Sequence, residues 1–165
     1  MEKRDLYDEH RNLTGKTILK GEQIPAGYYQ QVVIIFMENN DGKFLIQKRA
    51  PQKDGKWAST GGHPKAGESS YEGILTEVKE ELGLDISKEN IELVLTVNDH
   101  DTFCDLYYVQ MDIDLDKIIC QEEEVEQVKL ANLDEINEMI EEGTFHKVHG
   151  MALFDVLNEL KKIDK

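Results

Sequence analysis

Residues 62–84 read GHPKAGESSYEGILTEVKEELGL, in which a glycine-containing loop leads into a helix-forming segment. The pattern predicts a helix that starts at Ser69 or Ser70, runs to Leu82 and is capped by Gly83. Apolar residues follow one stripe of this helix, and we expect them to bury against a sheet: Tyr71, Ile74, Leu75, Val78 and Leu82. The stretch therefore predicts a loop followed by an amphipathic helix.

Three glutamates of this helix share one face. At about 100° per residue, Glu77, Glu80 and Glu81 fall within an arc of about 100°. Like charges one turn apart destabilise a helix, and acids near its C-terminal end oppose its dipole, so a bound cation would offset both penalties. Carboxylate oxygens favour Mg²⁺ or Mn²⁺, although a solvated acidic face remains the alternative. Gly73 adds no side chain to this face, and close approach of a ligand or metal is one reason to tolerate it.

The whole chain has the composition of one globular domain. Its 165 residues are 39% hydrophobic and 32% charged, which excludes disorder throughout. The net charge of −15 repels nucleic acid and anionic membranes, so neither is an expected partner. A metal held by some of the carboxylates would still recruit a phosphate. Two cysteines and no apolar N-terminal stretch favour the cytoplasm.

The other segments alternate between strand and helix patterns. Residues 5–20 predict an N-terminal hairpin. The order that follows is β-β-β-α-β-β-β-α-α, which predicts an α/β protein with a mixed sheet packed between helices. The expected strands are Val32–Phe36, Phe44–Gln47, Trp57–Gly62, Ile91–Val97, Phe103–Met111 and Glu126–Ala131, and the expected later helices are Asp134–Glu142 and Met151–Lys161.

The stretch from Gly62 to Leu84 resembles the Nudix box, G-x5-E-x7-R-E-U-x-E-E-x-G-U, in which U is apolar. The spacing matches throughout, with Thr76 in place of the box arginine. The resemblance implies that residues 1–165 form a single Nudix domain, a Nudix-type α/β/α sandwich with a mixed sheet. It also implies a hydrolase that uses Mg²⁺, or Mn²⁺, to cleave a diphosphate linkage. The expected partner is a small nucleoside or isoprenoid diphosphate derivative, and homodimers are common in the family.

The resemblance further assigns roles to the acids. Glu77, Glu80 and Glu81 would hold the metal, with Glu68 reaching in from the loop, and Glu77 and Glu80 are the catalytic candidates. Acids elsewhere are alternative bases: Asp101, Glu123 and Glu124. The family arginine orients the box carboxylates, and Thr76 has neither its charge nor its reach. A catalytically silent diphosphate-binding protein therefore stays an alternative.

Outside the box, the chain resembles the branch that contains isopentenyl-diphosphate isomerase and its hydrolase relatives. The segments that carry this likeness are Asp5–Asp8, Thr14–Gly15, Gln47–Arg49, Trp57–Pro64 and Glu123–Lys129. The likeness implies that Arg49 and Lys53 bind the diphosphate, with Gly62 and His63 beside it. The isomerase has a cysteine immediately before its Gly-His-Pro run, where this chain has Gly61, so an isomerase is the weaker alternative.

Overall fold

The computed structural model describes residues 2–163, in which strands and helices alternate largely as the sequence predicts. The strands are β1 (Lys3–Tyr7), β2 (Leu13–Leu19), β3 (Gln30–Glu38), β4 (Phe44–Arg49), β5 (Trp57–Ala58), β6 (Thr60–Gly62), β7 (Glu92–Asp99), β8 (Thr102–Gln110) and β9 (Val125–Ala131). The helices are α1 (Ser70–Leu82), α2 (Leu133–Glu142) and α3 (Lys147–Ile163). Within this range, no helix is long and apolar enough to cross a membrane.

The main sheet is mixed and lies between two helical layers. Its strand order is β5-β4-β3-β8-β7, with β6 also paired to β3 and β9 to β4. β3 and β8 run parallel, whereas the other neighbours run antiparallel. One face of the sheet packs against α1 and the other against α2 and α3. The predicted α/β fold with a mixed sheet between helices is therefore confirmed.

The stripe of α1 that faces the sheet is shorter than predicted. Ile74, Val78 and Leu82 are fully buried, but Tyr71 is 41% exposed. The prediction for Tyr71 is wrong because Ser70 faces the sheet at the first turn, where its hydroxyl lies 2.6 Å from the hydroxyl of Tyr107. The apolar contact of α1 with the sheet therefore begins one turn into the helix.

α3 begins at Lys147, four residues before the predicted start at Met151. Val148 in its first turn is 60% exposed, so the apolar periodicity is weak there. Gly150 further lowers the helix propensity of this turn. The glycine has a packing role, because a Cβ at this position would lie 2.7 Å from Cδ1 of Ile140 on α2.

The segment at 57–62 was predicted as one strand and forms two. β5 pairs with β4, and β6 pairs with β3. The segment can cross between them because β3 and β4 are paired with each other only next to their turn, at Glu38 and Phe44. The crossing occurs at Ser59, which is buried. The divergence of β3 and β4 makes room for a cleft.

The N-terminal hairpin of β1 and β2 is a separate two-stranded sheet that several hydrogen bonds and an ion pair fasten to the main body. The backbone N–H of Gly67 donates to the carboxylate of Asp5 at 2.8 Å. Arg11, in the turn of the hairpin, forms an ion pair with Asp105 on β8. The Asp105 side chain is buried and also accepts a hydrogen bond from Thr96 at 2.6 Å. The hairpin is thus held against the loop before α1 and against β8.

Gly73 has a packing explanation that replaces the expected approach of a ligand or metal. A Cβ at this position would lie 2.7 Å from Cγ of Pro64. Both residues are buried, so the glycine allows the loop at Pro64 to lie directly on α1.

We expect Gly73→Ala to destabilise the protein by about 1–3 kcal/mol, because the rigid Pro64 ring cannot rotate away from the added methyl group. This loss should outweigh the gain of about 1 kcal/mol in helix propensity. Urea unfolding of both proteins measures the difference. Lys79→Ala, on the exposed side of the same helix, is the control and should change stability by less than about 0.5 kcal/mol. A Gly73→Ala protein as stable as wild type would contradict the packing explanation.

Candidate active site

A cleft of about 370 Å³ opens where β3 and β4 diverge. α1 contributes one wall, and the hairpin, the start of α3 and the loop before β9 contribute others. Every predicted site residue except Glu68 lines it: Arg49, Lys53, Gly62, His63, Glu77, Glu80 and Glu81. Two of the three alternative bases, Glu123 and Glu124, also line the cleft, whereas Asp101 lies in the turn between β7 and β8 and does not.

Two adjacent glycines set the floor of the cleft. A Cβ on Gly62 would lie 2.4 Å from Cδ of Glu77. A Cβ on Gly61 would lie 2.6 Å from the carbonyl oxygen of Val33. The carboxylate of Glu77 therefore rests on bare backbone. A side chain at Gly62 would displace this carboxylate, and a side chain at Gly61 would require β6 to move away from β3.

Glu77 and Glu81 form a carboxyl pair in which Glu81 is buried and Glu77 is partly buried. Burial raises the pKa of Glu77, and the charges of Glu81 and Glu80 raise it further. Burial also raises the pKa of Glu81, while the hydrogen bond from Gln47 acts in the opposite direction. Two acids with raised pKa values on one side of a cleft favour either retained protons or a bound cation.

Gln47 holds Glu81 in place. Its Nε2 donates to Oε1 of Glu81 at 2.9 Å, and its Oε1 accepts a hydrogen bond from the Thr60 hydroxyl at 2.7 Å. All three side chains are buried. The chain from β6 through β4 to α1 fixes the orientation of this carboxyl.

Glu80 and Glu68 have other partners. Glu80 forms an ion pair with Lys65. Glu68 accepts hydrogen bonds at 2.6 Å from the Thr76 hydroxyl and from the backbone N–H of Lys65. The expectation that Thr76 could not orient a box carboxylate is therefore wrong for Glu68, because a hydroxyl at this position reaches the loop. Lys65 supplies the positive charge that Thr76 lacks.

These pairings bear on where a metal could bind. Within residues 2–163, no three or more His, Cys, Asp or Glu side chains are grouped as a ready-made metal site. Glu80 and Glu68 already contact other groups, so Glu77 and Glu81 are the two adjacent carboxyl groups that remain for a metal. Their donors are carboxylate oxygens, which suit a hard divalent cation. The residues therefore fit such an ion, and a third ligand would be available from Glu80 after it leaves Lys65.

Basic side chains face the acids across the cleft. Lys53 forms an ion pair with Glu124, whose carboxylate also lies 3.8 Å from Nζ of Lys20. Nε of Arg49 lies 3.1 Å from Oδ1 of Asp54, but its N–H is not aligned with that oxygen. This buried Nε has no hydrogen-bond partner in the described part of the chain. Arg49 and Lys53 thus add positive charge to the lining of the cleft.

His63 is neutral near pH 7. Burial lowers its pKa to about 4, and the charge of Arg4 contributes in the same direction. An uncharged imidazole beside Gly62 can exchange hydrogen bonds with a phosphate without adding charge.

Several residues of the cleft were not found from the sequence. Glu2, Arg4 and Lys20 come from the hairpin and its flanks, and His149 comes from α3. They lie far along the chain from the box and reach the cleft only through tertiary docking. For Gln47, the sequence offered one signal, which was its place in the Gln47–Arg49 segment that resembles the isomerase branch.

Comparison with known proteins identifies the family. Residues 28–154 match the NUDIX domain. The chain is 32% identical over 150 residues to the Nudix hydrolase lmo0368 of Listeria monocytogenes, with 88% of each covered. Its fold is similar to that of DR0079 from Deinococcus radiodurans, with a TM-score of 0.75, 20% identity and coverage of 92% of this chain and 97% of that one. It is also similar to the NUDIX domain of Shewanella oneidensis NrtR, solved with ADP ribose, with a TM-score of 0.64, 16% identity and coverage of 89% and 94%.

The chain belongs to the Nudix family, and the prediction that it is a Nudix hydrolase is confirmed. Hydrolases of this family generally use divalent metal ions. The residues that match the NUDIX domain begin after β1 and β2. The part of the cleft wall that this hairpin forms therefore lies outside the family match.

The raised pKa values of Glu77 and Glu81 predict a pH dependence of the metal-free protein. A group whose pKa rises on folding stabilises the fold below its unfolded pKa, and this stability is lost as pH rises through the folded pKa. In excess chelator, the thermal midpoint of wild type should therefore fall more steeply than that of Glu77→Gln between about pH 7 and 8.5. This range lies above the ordinary pKa of histidine, so the buried histidines contribute little.

Glu72→Gln provides the control, since Glu72 is exposed on the same helix and Gln preserves its capping hydrogen bond. Its pH slope should equal that of wild type. Equal slopes for wild type and Glu77→Gln would show that the pair does not titrate in this range.

Proposed function

We propose that this protein is a Mg²⁺-dependent hydrolase that cleaves the diphosphate linkage of a nucleoside or isoprenoid diphosphate derivative, with Mn²⁺ as the other suitable ion. The observation that carries the proposal is the pair of Glu77 and Glu81, both with raised pKa values, in one cleft with Arg49 and Lys53. A diphosphate needs positive groups for its oxygens and a water that can be deprotonated near neutral pH. This cleft combines residues suited to both needs.

In this proposal Glu77, Glu80 and Glu81 hold the metal, and Glu68 assists from the loop. A bound divalent cation would neutralise phosphate charge and lower the pKa of a water. Glu80 leaves Lys65 to join the cluster, which frees the lysine for a phosphate oxygen.

The other groups of the cleft complete the proposed chemistry. We assign the proton of the attacking water to Glu77 or Glu80, with Glu123 and Glu124 in the same cleft as alternative bases. Arg49 and Lys53 bind the diphosphate, with Gly62 and His63 beside it in the lining of the cleft.

Gly61 favours hydrolysis over the isomerase alternative. The likeness to the isomerase branch stays part of the proposal, but a cysteine at 61 would place its Cβ 2.6 Å from the carbonyl oxygen of Val33. Neither Cys104 nor Cys120 lines the cleft. The silent-binder alternative is weakened by the contact between Thr76 and Glu68, because the substitution leaves that carboxylate oriented.

The test is a panel of nucleoside and isoprenoid diphosphate derivatives, scored by phosphate and pyrophosphate release with Mg²⁺. Glu77→Gln, Glu80→Gln and Glu81→Gln should each lower kcat by about a hundredfold or more, since each removes a metal ligand or a base. Glu72→Gln, which lies outside the cleft, is the matched control and should keep wild-type turnover. Undiminished turnover of wild type in excess chelator would refute the metal requirement.

Thermal unfolding separates metal binding from mere acidity. At a hundredfold excess over Kd, Mg²⁺ should stabilise wild type by about 2.7 kcal/mol. Glu77→Gln and Glu81→Gln should lose much of this shift, while Glu72→Gln retains it. Equal Mg²⁺ shifts in all four proteins would mean that the carboxylates are not ligands.

A further inference from the structure

Arg4 lies on β1 and lines the cleft, yet the chemistry proposed above gives it no role. Its partner across the hairpin is Ile18 on β2, which is buried. Directly paired residues of antiparallel strands lie on the same face of the sheet, so Arg4 shares the face that is turned towards the protein body. The side chain of Arg4 is accordingly only 15% exposed.

Two hydrogen bonds to the loop before α1 fix the backbone on either side of Arg4. The carbonyl oxygen of Lys3 accepts from the backbone N–H of Ala66 at 2.8 Å. The carboxylate of Asp5 accepts from the backbone N–H of Gly67, also at 2.8 Å. This loop belongs to the Nudix box, so the docked hairpin places Arg4 directly beside the segment that leads to the glutamates of α1.

Only part of the donor capacity of Arg4 is used within the protein. Its Nε donates to Oε2 of Glu2 at 3.1 Å. Among residues 2–163, no group forms a hydrogen bond with the two terminal nitrogens of the guanidinium, and neither is among the buried atoms that lack a partner. Glu2 thus holds the guanidinium by Nε, and the terminal N–H groups remain accessible to a bound molecule.

The charges of Arg4 and Glu2 act on residues at the carboxylate end of the cleft. Burial lowers the pKa of His63 to about 4, and the charge of Arg4 is the next largest cause. Burial is the largest cause of the raised pKa of Glu77, and the charge of Glu2 adds to it. The pair of Arg4 and Glu2 therefore lies near the place where the proposed function brings metal and diphosphate together.

We propose that Arg4 is a further binding residue for the diphosphate and donates its terminal N–H groups to phosphate oxygens. The inference rests on the proposed function and adds to it a contact from the hairpin, which lies outside the residues that match the NUDIX domain. A planar guanidinium suits this role because two of its N–H groups can bind two oxygens of one phosphate. Lys20 also reaches the cleft from the end of β2, but its side chain is 54% exposed and is held less firmly.

Calorimetry with methylenediphosphonate, a non-hydrolysable diphosphate, tests this contact without turnover. In saturating Mg²⁺, Arg4→Gln should weaken binding of the probe about tenfold, because it removes charge-assisted donors. Arg4→Lys keeps the charge but loses the planar fork, so it should weaken binding less, by about threefold. The lysine variant also tests the contact where the glutamine variant is unstable.

Lys3→Gln is the matched control. It removes the same charge from the neighbouring residue of β1, whose side chain is exposed and does not line the cleft. The carbonyl group that binds Ala66 is unaffected by the substitution. This variant should bind methylenediphosphonate as tightly as wild type.

Binding of Mg²⁺ without the probe separates a lost contact from a damaged site. Arg4→Gln removes a positive charge near the carboxylates, so it should bind Mg²⁺ at least as tightly as wild type. Damage to the site would weaken the binding of cation and anion alike.

The outcomes distinguish the two proposals. Unchanged probe affinity in either Arg4 variant, an equal loss in Lys3→Gln, or weaker Mg²⁺ binding by Arg4→Gln would overturn the role of Arg4 and leave the hydrolase proposal intact. Failure of wild type to bind methylenediphosphonate in Mg²⁺ would overturn both.

Discussion

The close contact between the backbone of β6 and α1 determines how this site is built. Gly62 lies under the carboxyl group of Glu77, and Gly61 lies against the carbonyl group of Val33, at distances that leave no room for a Cβ on either glycine. Because β6 is bare here, α1 can pack close enough to bury Glu77 and Glu81 beside the sheet. This burial is the largest cause of the raised pKa values of both acids.

Many charged side chains in and beside the cleft form ion pairs with one another. Lys65 pairs with Glu80, and Lys53 pairs with Glu124, so most of the charged groups neutralise one another. In the described part of the chain, no lysine forms an ion pair with Glu77 or Glu81. In the proposed function, a divalent cation would bind that pair of glutamates, and a diphosphate would bind the lysines, which would then exchange partners.

The sequence predicted those parts of the site that depend on local signals. α1 was predicted nearly to the residue, because Ser69 caps it and Gly83 ends it in the left-handed conformation. The cleft residues of the box follow from its spacing, whereas Arg49 and Lys53 follow from the likeness to the isomerase branch. Arg4, Lys20 and His149 could not be predicted, since they reach the cleft through docking of distant elements. The exposed Tyr71 shows the same limit, because periodicity does not reveal where a helix leaves the sheet.

The parallel pairing of β3 with β8 also has a consequence for how the chain is made. Gln30 lies opposite Thr102, so the two strands meet only after an intervening stretch of about 70 residues has been synthesised. Until then the apolar run of β3, from Val32 to Met37, lacks its central neighbour and is open to pairing with other chains. The segment at greatest risk of aggregation during biosynthesis is therefore the same strand that later forms the centre of the sheet.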